Sequence, residues 1–468
     1  MRPYYLLIAS ILLIACNPNK KAQSDTSMND PWNQLDSLIA QIKTTNFPDK
    51  DFMVTDFGAA AGDDRSDYEA IQKAIEECSA AGGGRVVVPA GVYHVKSIYL
   101  KSNVNLHLME GAELRFSTVP EDYLPVVYTR WEGVEMMGLK PLVYAFEEEN
   151  IALTGKGTLN GQAGNDNWWP WCGAGYYGYK EGDPSQRDDD NRAALFQAGA
   201  DDVPVSERIF GVDSYLRPQF FQPYKCERVL VQGVTFTNSP MWIMHPTLCN
   251  HVIIDGVSVI SHGPNSDGCD PESSKNVWIK NCLFDTGDDC IAIKSGRNHD
   301  GRRVGVASEN IIIQNCVMKD GHGGVVIGSE ASGGVNKVFA ENCQMDSPEL
   351  DRALRIKTST ERGGVIEKVY MRNVQVGQVK EAVLKFNMFY GDQGGFMPTI
   401  RDVRVENVTV KNGGKYGILA KGYAESPISN IYVDGLAIET VEESYSLENV
   451  DGLVVKNFTI GGEKVIIE

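Results

Sequence analysis

Basic charge is scarce in this sequence. Its 468 residues include 44 lysines and arginines against 62 aspartates and glutamates, which gives a formal net charge of −18 at pH 7. A surface of that sign repels a phosphate backbone, so nucleic acid is excluded as a partner. It also repels other polyanions, and any anionic ligand would therefore need a local basic patch.

Long hydrophobic runs are scarce as well. The run from Tyr4 to Ala15 is too short for a membrane-spanning helix and resembles the apolar part of a secretory signal. It ends in the tetrapeptide LIAC, which resembles a bacterial lipobox; an ordinary signal peptide with a chance cysteine is the alternative. We expect residues 1–16 to be a lipoprotein signal peptide, lipidated at Cys16, and residues 17–47 to be a tether with a short helix. The protein would then be exported, either periplasmic or on the cell surface at a bacterial outer membrane, and would touch the membrane only through this lipid anchor.

Cysteine motifs that bind metals do not occur in the sequence. Nine of the ten cysteines follow Cys16, and an odd number leaves at least one unpaired in an oxidising compartment. Cys282, Cys316 and Cys343 each follow an asparagine, and we expect them to form a buried stack of small apolar side chains. Without CxxC pairs or His/Cys clusters, we expect no metal site, and no motif indicates another cofactor.

One sequence pattern repeats from residue 228 onward. It is an alternating apolar strand that ends in Asn or Gly followed by an apolar residue. It occurs at 229–234, 252–257, 277–282, 311–316, 338–343, 369–374, 403–408, 431–436 and 453–458. A period of about 22 to 34 residues is typical of a solenoid. Because turns separate these short β-branched strands and no helix does, we expect an all-β, parallel β-helix domain over residues 48–468. A propeller, with four strands in about 40 residues per blade, does not fit.

The segment from Asp67 to Cys78 is the clearest amphipathic helix of the sequence. Ser66 can cap it, with Glu69 three residues later. We expect this helix to close the open end of the solenoid, where unpaired strand edges otherwise invite aggregation. Residues 31–46 predict another short helix.

Four short clusters fall at the same point of successive coils. They are Asn265-Ser266-Asp267, Gly287-Asp288-Asp289, Gly321-His322-Gly323 and Arg355-Ile356-Lys357. Because neighbouring parallel strands lie about 4.8 Å apart, residues of equal phase should be neighbours in space. This places Asp267 beside Asp289, and Asp288 beside His322. Each cluster alone would be a turn or a solvated strand face, but four clusters in phase indicate a site.

The three aspartates and the histidine predict acid and base chemistry. Crowded carboxylates cannot all ionise easily, so at least one of the three pKa values should rise. Asp288, next to His322, is positioned to donate a proton, and Asp267 with Asp289 can hold and deprotonate a water. This is the inverting arrangement of a glycoside hydrolase, in which the carboxyl groups are expected about 6.5 to 9.5 Å apart.

The cations of the same wall predict an anionic substrate. Arg355 and Lys357 should point outward, where the planar fork of the arginine can bind a sugar carboxylate and the lysine adds a point charge. Lys294 has the phase of Lys357, and we expect His245 and Glu272 in the same column.

In this order and spacing, the four clusters resemble those of the polygalacturonase family, the pectin-degrading glycoside hydrolases of family 28. The DFGA…AIQKAI segment near the N-terminus extends the resemblance over nearly all of the chain. The resemblance implies a right-handed parallel β-helix of the pectin lyase type that hydrolyses α-1,4-galacturonosyl bonds with inversion and needs no cofactor. The family most often has threonine where this chain has Ser266, and we expect little consequence.

The resemblance also implies a role for each matching residue. Asp288 would be the general acid, Asp267 and Asp289 would activate water, and His322 would support protonation of the acid. The Arg355-to-Lys357 cluster would bind substrate carboxylate.

A basic patch surrounds the predicted cleft. It comprises Lys294, Arg297, Arg302, Arg303, Arg352, Arg355 and Lys357. Such a patch can attract an anion despite the global charge. We expect Lys294, Arg297, Arg302 and His245 to bind substrate in addition to the Arg355-to-Lys357 cluster; the alternative is that Arg302 and its neighbour are solvated loop cations.

A long aromatic insertion, residues 163–225, interrupts the coils. Its rings are Trp168, Trp169, Trp171, Tyr176, Tyr177 and Tyr179. They can line sugar subsites, wall off one end of the groove, or cover the side of the solenoid as an apolar flap. With the 297–306 loop, the insertion resembles the blocked-groove members of the family, which remove single residues from chain ends. We therefore favour exo action on oligogalacturonates or pectic side chains by a monomeric bacterial enzyme.

Other functions stay open at this point. An endo-polygalacturonase or a rhamnogalacturonan hydrolase would carry the same clusters. A calcium-dependent pectate lyase would use the three aspartates as metal ligands. A non-enzymatic carbohydrate-binding solenoid would not need them at all.

Overall fold

The computed structural model describes residues 30–63 and 65–467 of the chain. The predicted signal peptide, Cys16 and most of the predicted tether lie outside these residues. No helix within the described ranges is both long enough and apolar enough to cross a membrane.

Most strands of the described chain belong to one large sheet that runs the length of the solenoid, here the long sheet. Its strands are Asp51–Met53, Gly84–Val88, Gly91–Val95, Val104–Leu108, Ala112–Phe116, Glu149–Gly155, Thr158–Asn160, Glu227–Gln232, Thr235–Thr237, Asn250–Asp255, Ser258–Ser261, Lys275–Lys280, Leu283–Thr286, Ser308–Gln314, Val317–Met318, Val335–Glu341, Gln344–Met345, Val365–Gln378, Thr399–Asn412, Ile428–Thr440, Val450–Asp451, Val454–Lys456, Thr459–Ile460 and Glu463–Lys464. Each coil pairs in parallel with the next, which confirms the predicted repeat; Thr459–Ile460 and Glu463–Lys464 pair antiparallel.

A second wall of the solenoid, here the cleft sheet, carries the four clusters. Its strands are Ile291–Ile293, Val325–Ile327, Arg352–Lys357, Ala382–Asn387, Tyr416–Lys421 and Glu443–Glu448. Single bridges through Met244 and Cys269 continue this wall to the strands Phe221–Tyr224, Val143–Phe146 and Ile98–Tyr99. A small separate sheet is formed by Val127–Trp131, Val134–Gly138 and Ile209–Phe210.

The core lies between the two walls. Ile291 and Ile293 of the cleft sheet and Ile311 and Ile313 of the long sheet all belong to one buried apolar cluster. Since side chains alternate along a strand, the residues between them point outward, and the cleft can therefore be polar while its wall stays anchored in the core. The predicted cysteine stack of residues 282, 316 and 343 is buried in the same cluster, and all nine cysteines of the described ranges are unpaired.

The asparagines that end the repeated strands turn the coil. Asn281, Asn315, Asn342, Asn373 and Asn407 all have φ between 52° and 57°. Asparagine tolerates this left-handed conformation better than other residues with a Cβ. The repeated asparagine therefore marks a corner of the backbone, and this corner fixes where each strand ends.

Four α-helices and several short helical turns lie outside the sheets of the described chain. The α-helices are Leu35–Gln41, Tyr68–Ala80, Ala194–Ala200 and Asn298–Val304. The 3₁₀ turns are Pro31–Gln34, Val54–Phe57, Pro120–Tyr123, Trp169–Cys172, Gly175–Tyr177, Val205–Glu207 and Val212–Ser214, and Asp189–Ala193 is a π-helical turn. Asn298–Val304 lies where the sequence predicted a loop, so helices are not wholly absent between the repeated strands.

The helix Tyr68–Ala80 packs against the first coils, as predicted, but its N-terminal cap differs from the prediction. Asp67 is the capping position and its side chain does not cap the helix, whereas the Ser66 hydroxyl accepts a hydrogen bond from the backbone N–H of Tyr68 at 3.4 Å. The Asp67 carboxylate instead accepts hydrogen bonds from the backbone N–H groups of Ala60 (2.8 Å) and His94 (3.1 Å). The cap differs from the predicted box because Asp67 takes the capping position and ties the helix to the first coil, while the predicted contact of Ser66 with the start of the helix is present.

The segment 30–53 forms a strap along the outside of the long sheet. Trp32, Leu35 and Leu38 form a separate apolar cluster with Ile312 and Phe339. Further on, the strap runs toward the N-terminal coils, where its last strand pairs with the first coil. The predicted short helix is present over 31–41, and its observed role is to cover outward-facing apolar side chains of several coils.

Candidate active site

The clusters meet on the outer face of the cleft sheet, as the coil register predicts. Cys269 pairs with Ile291, and Ile291 pairs with Val325. This register places Asp267 level with Asp289, one coil apart. It likewise brings Asp288 level with the histidine of the next coil, so the predicted neighbours are confirmed.

Ser266 shapes the turn that presents the first aspartate. Its hydroxyl lies 2.8 Å from the carbonyl oxygen of Ser261 and 2.6 Å from that of Gly263. It also accepts a hydrogen bond from the backbone N–H of Gly287 in the next coil. A serine hydroxyl is sufficient for these contacts, and it links the turns that carry Asp267 and Asp288.

Three carboxylates converge in the cleft, each next to a cation. Their nearest oxygens lie within 4.8 Å of one another. Lys294 Nζ lies 3.3 Å from Oδ2 of Asp267, and His322 Nδ1 lies 2.9 Å from Oδ1 of Asp288. Lys357 Nζ lies 2.8 Å from Oδ2 of Asp289. Arg355 reaches the other oxygen of Asp289 at 3.6 Å. Such pairing is what allows buried carboxylates to be ionised.

The carboxylates are closer together than predicted. The inverting arrangement predicted a separation of about 6.5 to 9.5 Å, whereas the nearest oxygens fall within 4.8 Å. The coil spacing explains the difference, because level residues of adjacent parallel strands are held about one strand apart. A water activated here would lie against the trio instead of between two distant carboxylates.

The crowding divides the protons unevenly. Burial, together with the nearby Asp288, raises the pKa of Asp267 to about 8. For Asp288, burial acts to raise the pKa, but the hydrogen bond and charge of His322 outweigh it and hold the value below the ordinary range. The same hydrogen bond raises the pKa of His322 to about 9. The prediction that one pKa of the trio rises is confirmed, and the carboxyl whose pKa rises is Asp267, not Asp288 beside the histidine.

A cavity of about 740 Å³ opens over these residues. Basic side chains that line it are Arg192, Lys294, Arg297, Arg352, Arg355, Lys357 and Arg362, and acidic ones are Glu132, Asp267, Asp288, Glu330, Asp351 and Asp392. His322, Trp242, Asn265, Ser329 and Tyr390 also line it. Basic groups thus balance acidic ones locally, against a chain that carries −18 overall.

His245 does not line the cleft, which corrects its predicted role. Thr247, not His245, pairs with Glu272 and through it with Lys294, so the histidine lies two residues away from the predicted column. Its Nε2 lies 2.7 Å from Glu272, its Nδ1 lies 2.9 Å from Gln222, and the ring is fully buried. Both ring nitrogens have partners below the cleft floor, and neither is left for substrate.

Arg302 and Arg303 also lie outside the cavity. The Arg302 guanidinium donates to the backbone carbonyls of Glu361 and Arg362 and stacks over the ring of Phe396. Arg303 pairs with Asp300 of its own helix and with Glu135 of the small separate sheet. The Arg302 prediction is corrected: the arginine holds the helix Asn298–Val304 in place, and Arg297, at the start of that helix, is the residue that reaches the cleft.

Several cleft residues were not predicted from the sequence. They are Glu132, Arg192, Trp242, Ser329, Glu330, Asp351, Arg362, Tyr390 and Asp392. Glu330 follows a strand in phase with the clusters, and that phase was a signal that could have found it. Arg192 and Glu132 come from the insertion and from a hairpin turn, which have no place in the repeat.

The aromatic insertion contacts the solenoid more than the cavity. Trp168 is buried and packs edge-on against Tyr123 and Trp171. The Trp169 indole N–H donates to the backbone carbonyl of Ser239. Of the alternatives, the tryptophans form the apolar flap, whereas Tyr176 is 85% exposed beyond it.

Two groups of side chains in the described ranges have the spacing of metal ligands. One is the aspartate trio; the other is His262, Asp285 and Asp320. In the trio each carboxylate already contacts a lysine or histidine, and a divalent cation would have to displace those positive charges. In the second group the histidine lies 3.0 Å from Asp285 and 3.5 Å from Asp320, so its two nitrogens bridge the acids.

Comparison with known proteins identifies the family of the chain. Residues 212–458 match the family model described as Glycosyl hydrolases family 28, and residues 52–109 match one described as Rhamnogalacturonase A/epimerase, pectate lyase-like. A probable polygalacturonase of Vitis vinifera is 25% identical over 423 residues, which is 86% of this chain and 77% of the relative. The exo-poly-alpha-D-galacturonosidase of Dickeya chrysanthemi is 28% identical over 396 residues, 81% of this chain and 64% of its own length.

A solved structure is more similar still. The hyperthermoactive exopolygalacturonase from Thermotoga maritima is 42% identical and superposes with a TM-score of 0.89, covering 92% of this chain and 96% of that one. The likeness confirms the predicted right-handed parallel β-helix.

Proposed function

This chain belongs to glycosyl hydrolase family 28, and on that premise we propose that it hydrolyses galacturonan by releasing single galacturonic acid residues from chain ends, with inversion at the anomeric carbon. Family membership makes it a glycoside hydrolase. The observation that carries the proposal is the trio of Asp267, Asp288 and Asp289 in one cleft, each beside its own cation.

The trio supplies both proton transfers of a hydrolysis. With one pKa near 8, the three carboxylates share a proton at neutral pH. Asp288 is the most exposed of the three and would pass that proton to the glycosidic oxygen, with His322 as the group that positions its carboxylate. Donation by a positioned carboxylic acid of this kind contributes about 10²- to 10⁴-fold to a rate.

The ionised remainder would activate the attacking water. Lys294 and Lys357 favour the charged form of Asp267, and Lys357 also contacts Asp289 at 2.8 Å. These two carboxylates would accept a proton from water once the shared proton has moved to Asp288. Both oxygens of Asp289 face cations, which makes it a poor nucleophile. We therefore favour direct attack by water, and hence inversion, over a covalent intermediate.

The cleft has the charge for a uronic acid substrate. Arg355 and Lys357 lie on the wall beside the trio, and Tyr390 lies about 5 Å from both cationic groups. Planar recognition by an arginine suits a carboxylate. The similar exopolygalacturonase, and the reach of the insertion into the cleft through Arg192, support exo action over an endo-acting or rhamnogalacturonan-cleaving enzyme.

Product analysis tests the reaction and its mode. A defined galacturonate hexamer should yield monomer and pentamer at early times, and NMR should show the new reducing end in the β configuration. Early dimers and trimers would contradict exo action, and an initial α product would contradict inversion. Oligomers of rhamnogalacturonan in a parallel assay would show whether that linkage is preferred.

Asp288→Asn separates hydrolysis from mere binding and from lyase chemistry. We expect turnover to fall about 10²- to 10⁴-fold while oligogalacturonate binding is kept, with Asp285→Asn, outside the cavity, as the control. A binding solenoid would be unaffected by the change. A calcium-dependent lyase would lose activity in chelator and release an unsaturated product that absorbs in the ultraviolet.

We also propose that the protein is an exported monomeric lipoprotein anchored through Cys16. The apolar run and the LIAC tetrapeptide support this, although Cys16 lies outside the described residues. Cys16→Ser should move the protein from the membrane fraction to the soluble fraction of a bacterial host. Unchanged fractionation would leave an ordinary signal peptide as the explanation, and light scattering would give the oligomeric state.

A further inference from the structure

A row of alternating charges connects the trio to the insertion. Its members, in spatial order, are Asp267, Lys294, Glu330, Arg297, Glu132 and Arg192. The successive contacts are 3.3, 3.5, 3.4, 3.4 and 2.6 Å long. These residues come from three coils, a hairpin turn and the insertion, and all of them line the cavity. The row therefore forms one continuous wall at one side of the cleft.

The charged groups of the inner side chains of this wall are already paired with one another. Lys294 contacts Asp270 as well as its two neighbours in the row. Arg297 divides its guanidinium between Glu330 and Glu132. Their side chains are 12% exposed or less, so they have little freedom to bind a ligand.

Arg192 differs from the other cations of the wall. Its side chain is 39% exposed, and its Nε and one terminal nitrogen both donate to a single oxygen of Glu132. That contact leaves the other terminal nitrogen for a further acceptor. A guanidinium held this way binds carboxylates through its planar N–H groups with little loss of side-chain freedom.

An aromatic ring and a hairpin turn pack closely behind Arg192 and Arg297. The ring of Phe196 lies 5.0 Å from the guanidinium of Arg192 and 3.8 Å from that of Arg297. Gly133, in the hairpin turn, accepts a hydrogen bond from the backbone N–H of Arg297, and a Cβ at Gly133 would lie 2.7 Å from that nitrogen. Phe196 therefore packs directly against both arginines of the row, and the hairpin turn packs directly against Arg297.

We propose that Arg192 is the specificity residue for the chain end, and that it binds the carboxylate of the terminal uronic acid. The inference deepens the proposed exo action and rests on it. The Arg355-to-Lys357 cluster would then hold the carboxylate of a second sugar beside the trio. A terminal sugar without a free carboxylate, such as a methyl ester, would lose the Arg192 contact.

Inhibition by galacturonic acid monomer and by its methyl ester measures this contact. In Arg192→Gln we expect the inhibition constant of the free acid to rise about 10- to 100-fold, as for loss of one hydrogen-bonded charge pair. The constant of the ester should change less than threefold. Arg192→Lys should lie between, because it keeps the charge without the planar fork. Arg187→Gln, an exposed arginine of the same insertion, is the control and should match the wild type.

Two results would overturn the proposal. One is an unchanged inhibition constant for the free acid in Arg192→Gln. The other is an equal rise for acid and ester, which would show a structural role only; should Arg192→Gln fail to fold, the same comparison on Arg192→Lys decides. The hexamer products of the wild type test exo action separately, so a mixed early product would reject the proposed mode whatever the variants show.

Discussion

At the residue scale, the cations of the cleft explain why three acids can share so small a volume. Lys294 is held by carboxylates on three sides, and burial is outweighed so that its pKa stays well above the ordinary value. A permanently charged lysine stabilises ionised Asp267, whereas burial opposes it. The balance leaves the pKa of Asp267 at about 8, close to neutral pH, where a proton can be both held and released at little cost in free energy.

The alkaline limit of activity should report this shared proton. The pKa of Asp267 is raised to about 8, so the proton is present below pH 8 and is lost above it. We expect kcat/KM to fall as pH rises through about 8. Removing the His322 charge lets the carboxylates hold the proton more tightly, and His322→Gln should therefore shift this limit to higher pH.

A pH–rate series from pH 4 to 10 measures both effects. His262→Gln is the matched control, since His262 also contacts acids of neighbouring coils but does not line the cavity. An alkaline limit that stays in place in His322→Gln, or that moves equally in His262→Gln, would contradict the coupling between His322 and the trio.

The substrate-binding cations give a second prediction at this scale. Arg355→Ala and Lys357→Ala should raise KM for galacturonate oligomers about 10- to 100-fold, because each removes a charged hydrogen bond. Lys357→Ala should also lower kcat, since its amine contacts Asp289 at 2.8 Å. Steady-state kinetics on acidic and on methyl-esterified oligomers check this, and equal losses on both would contradict a carboxylate-binding role.

At the element scale, register is what the sequence predicts best. The repeat marks a backbone corner in every coil, and corner-to-corner alignment placed the aspartates, His322 and the Arg355-to-Lys357 cluster correctly. It failed for His245 because that coil has only isolated bridges, at Met244 and Thr247, instead of a full strand to count along. Elements outside the repeat, such as the Glu132 turn and the π-helical turn with Arg192, carried no periodic signal, so their place in the cleft depends on tertiary packing.

The corner asparagines give a prediction at this scale. Asn373 has φ 54°, donates to Asn342 and accepts from Asn407 at 2.7 Å. Asn373→Ala and Asn373→Gly both remove these hydrogen bonds, but only alanine adds the steric cost of the left-handed conformation, about 1–2 kcal/mol. Glycine serves the same corner at Gly256 and Gly435.

We therefore expect Asn373→Ala to be less stable than Asn373→Gly by about 1 kcal/mol, after allowing for the greater unfolded-state entropy of glycine. Urea unfolding monitored by circular dichroism measures the difference. An alanine variant as stable as the glycine variant would show that side-chain bonding, and not backbone conformation, selects asparagine here.

At the scale of the whole molecule, the strap joins distant coils. The Trp32 indole donates to Glu406 at 2.9 Å, and Asn46 exchanges hydrogen bonds with Asn150 through its backbone N–H and carbonyl. A solenoid otherwise connects each coil only to its neighbours. The strap adds contacts that span several coils on the outer face of the long sheet, and it leaves the cleft sheet free for substrate.

The net negative charge of the whole molecule should repel a polyanionic substrate, and the salt dependence of kcat/KM should show this repulsion. The chain carries −18, whereas basic groups balance acidic ones around the cleft. The Debye length is about 30 Å at 0.01 M salt, so the acidic body repels a polyanion at low ionic strength. At about 0.1 M the length is about 10 Å, and the distant charges are screened while contacts inside the cleft persist.

We expect kcat/KM for polygalacturonate to rise severalfold between 0.01 and 0.1 M salt and to fall again near 1 M, where the carboxylate contacts themselves are screened. The galacturonate dimer, with two charges, should show a much weaker rise and is the control. A monotonic fall for the polymer from 0.01 M upward would mean that the local field of the cleft, and not the charge of the body, governs the encounter.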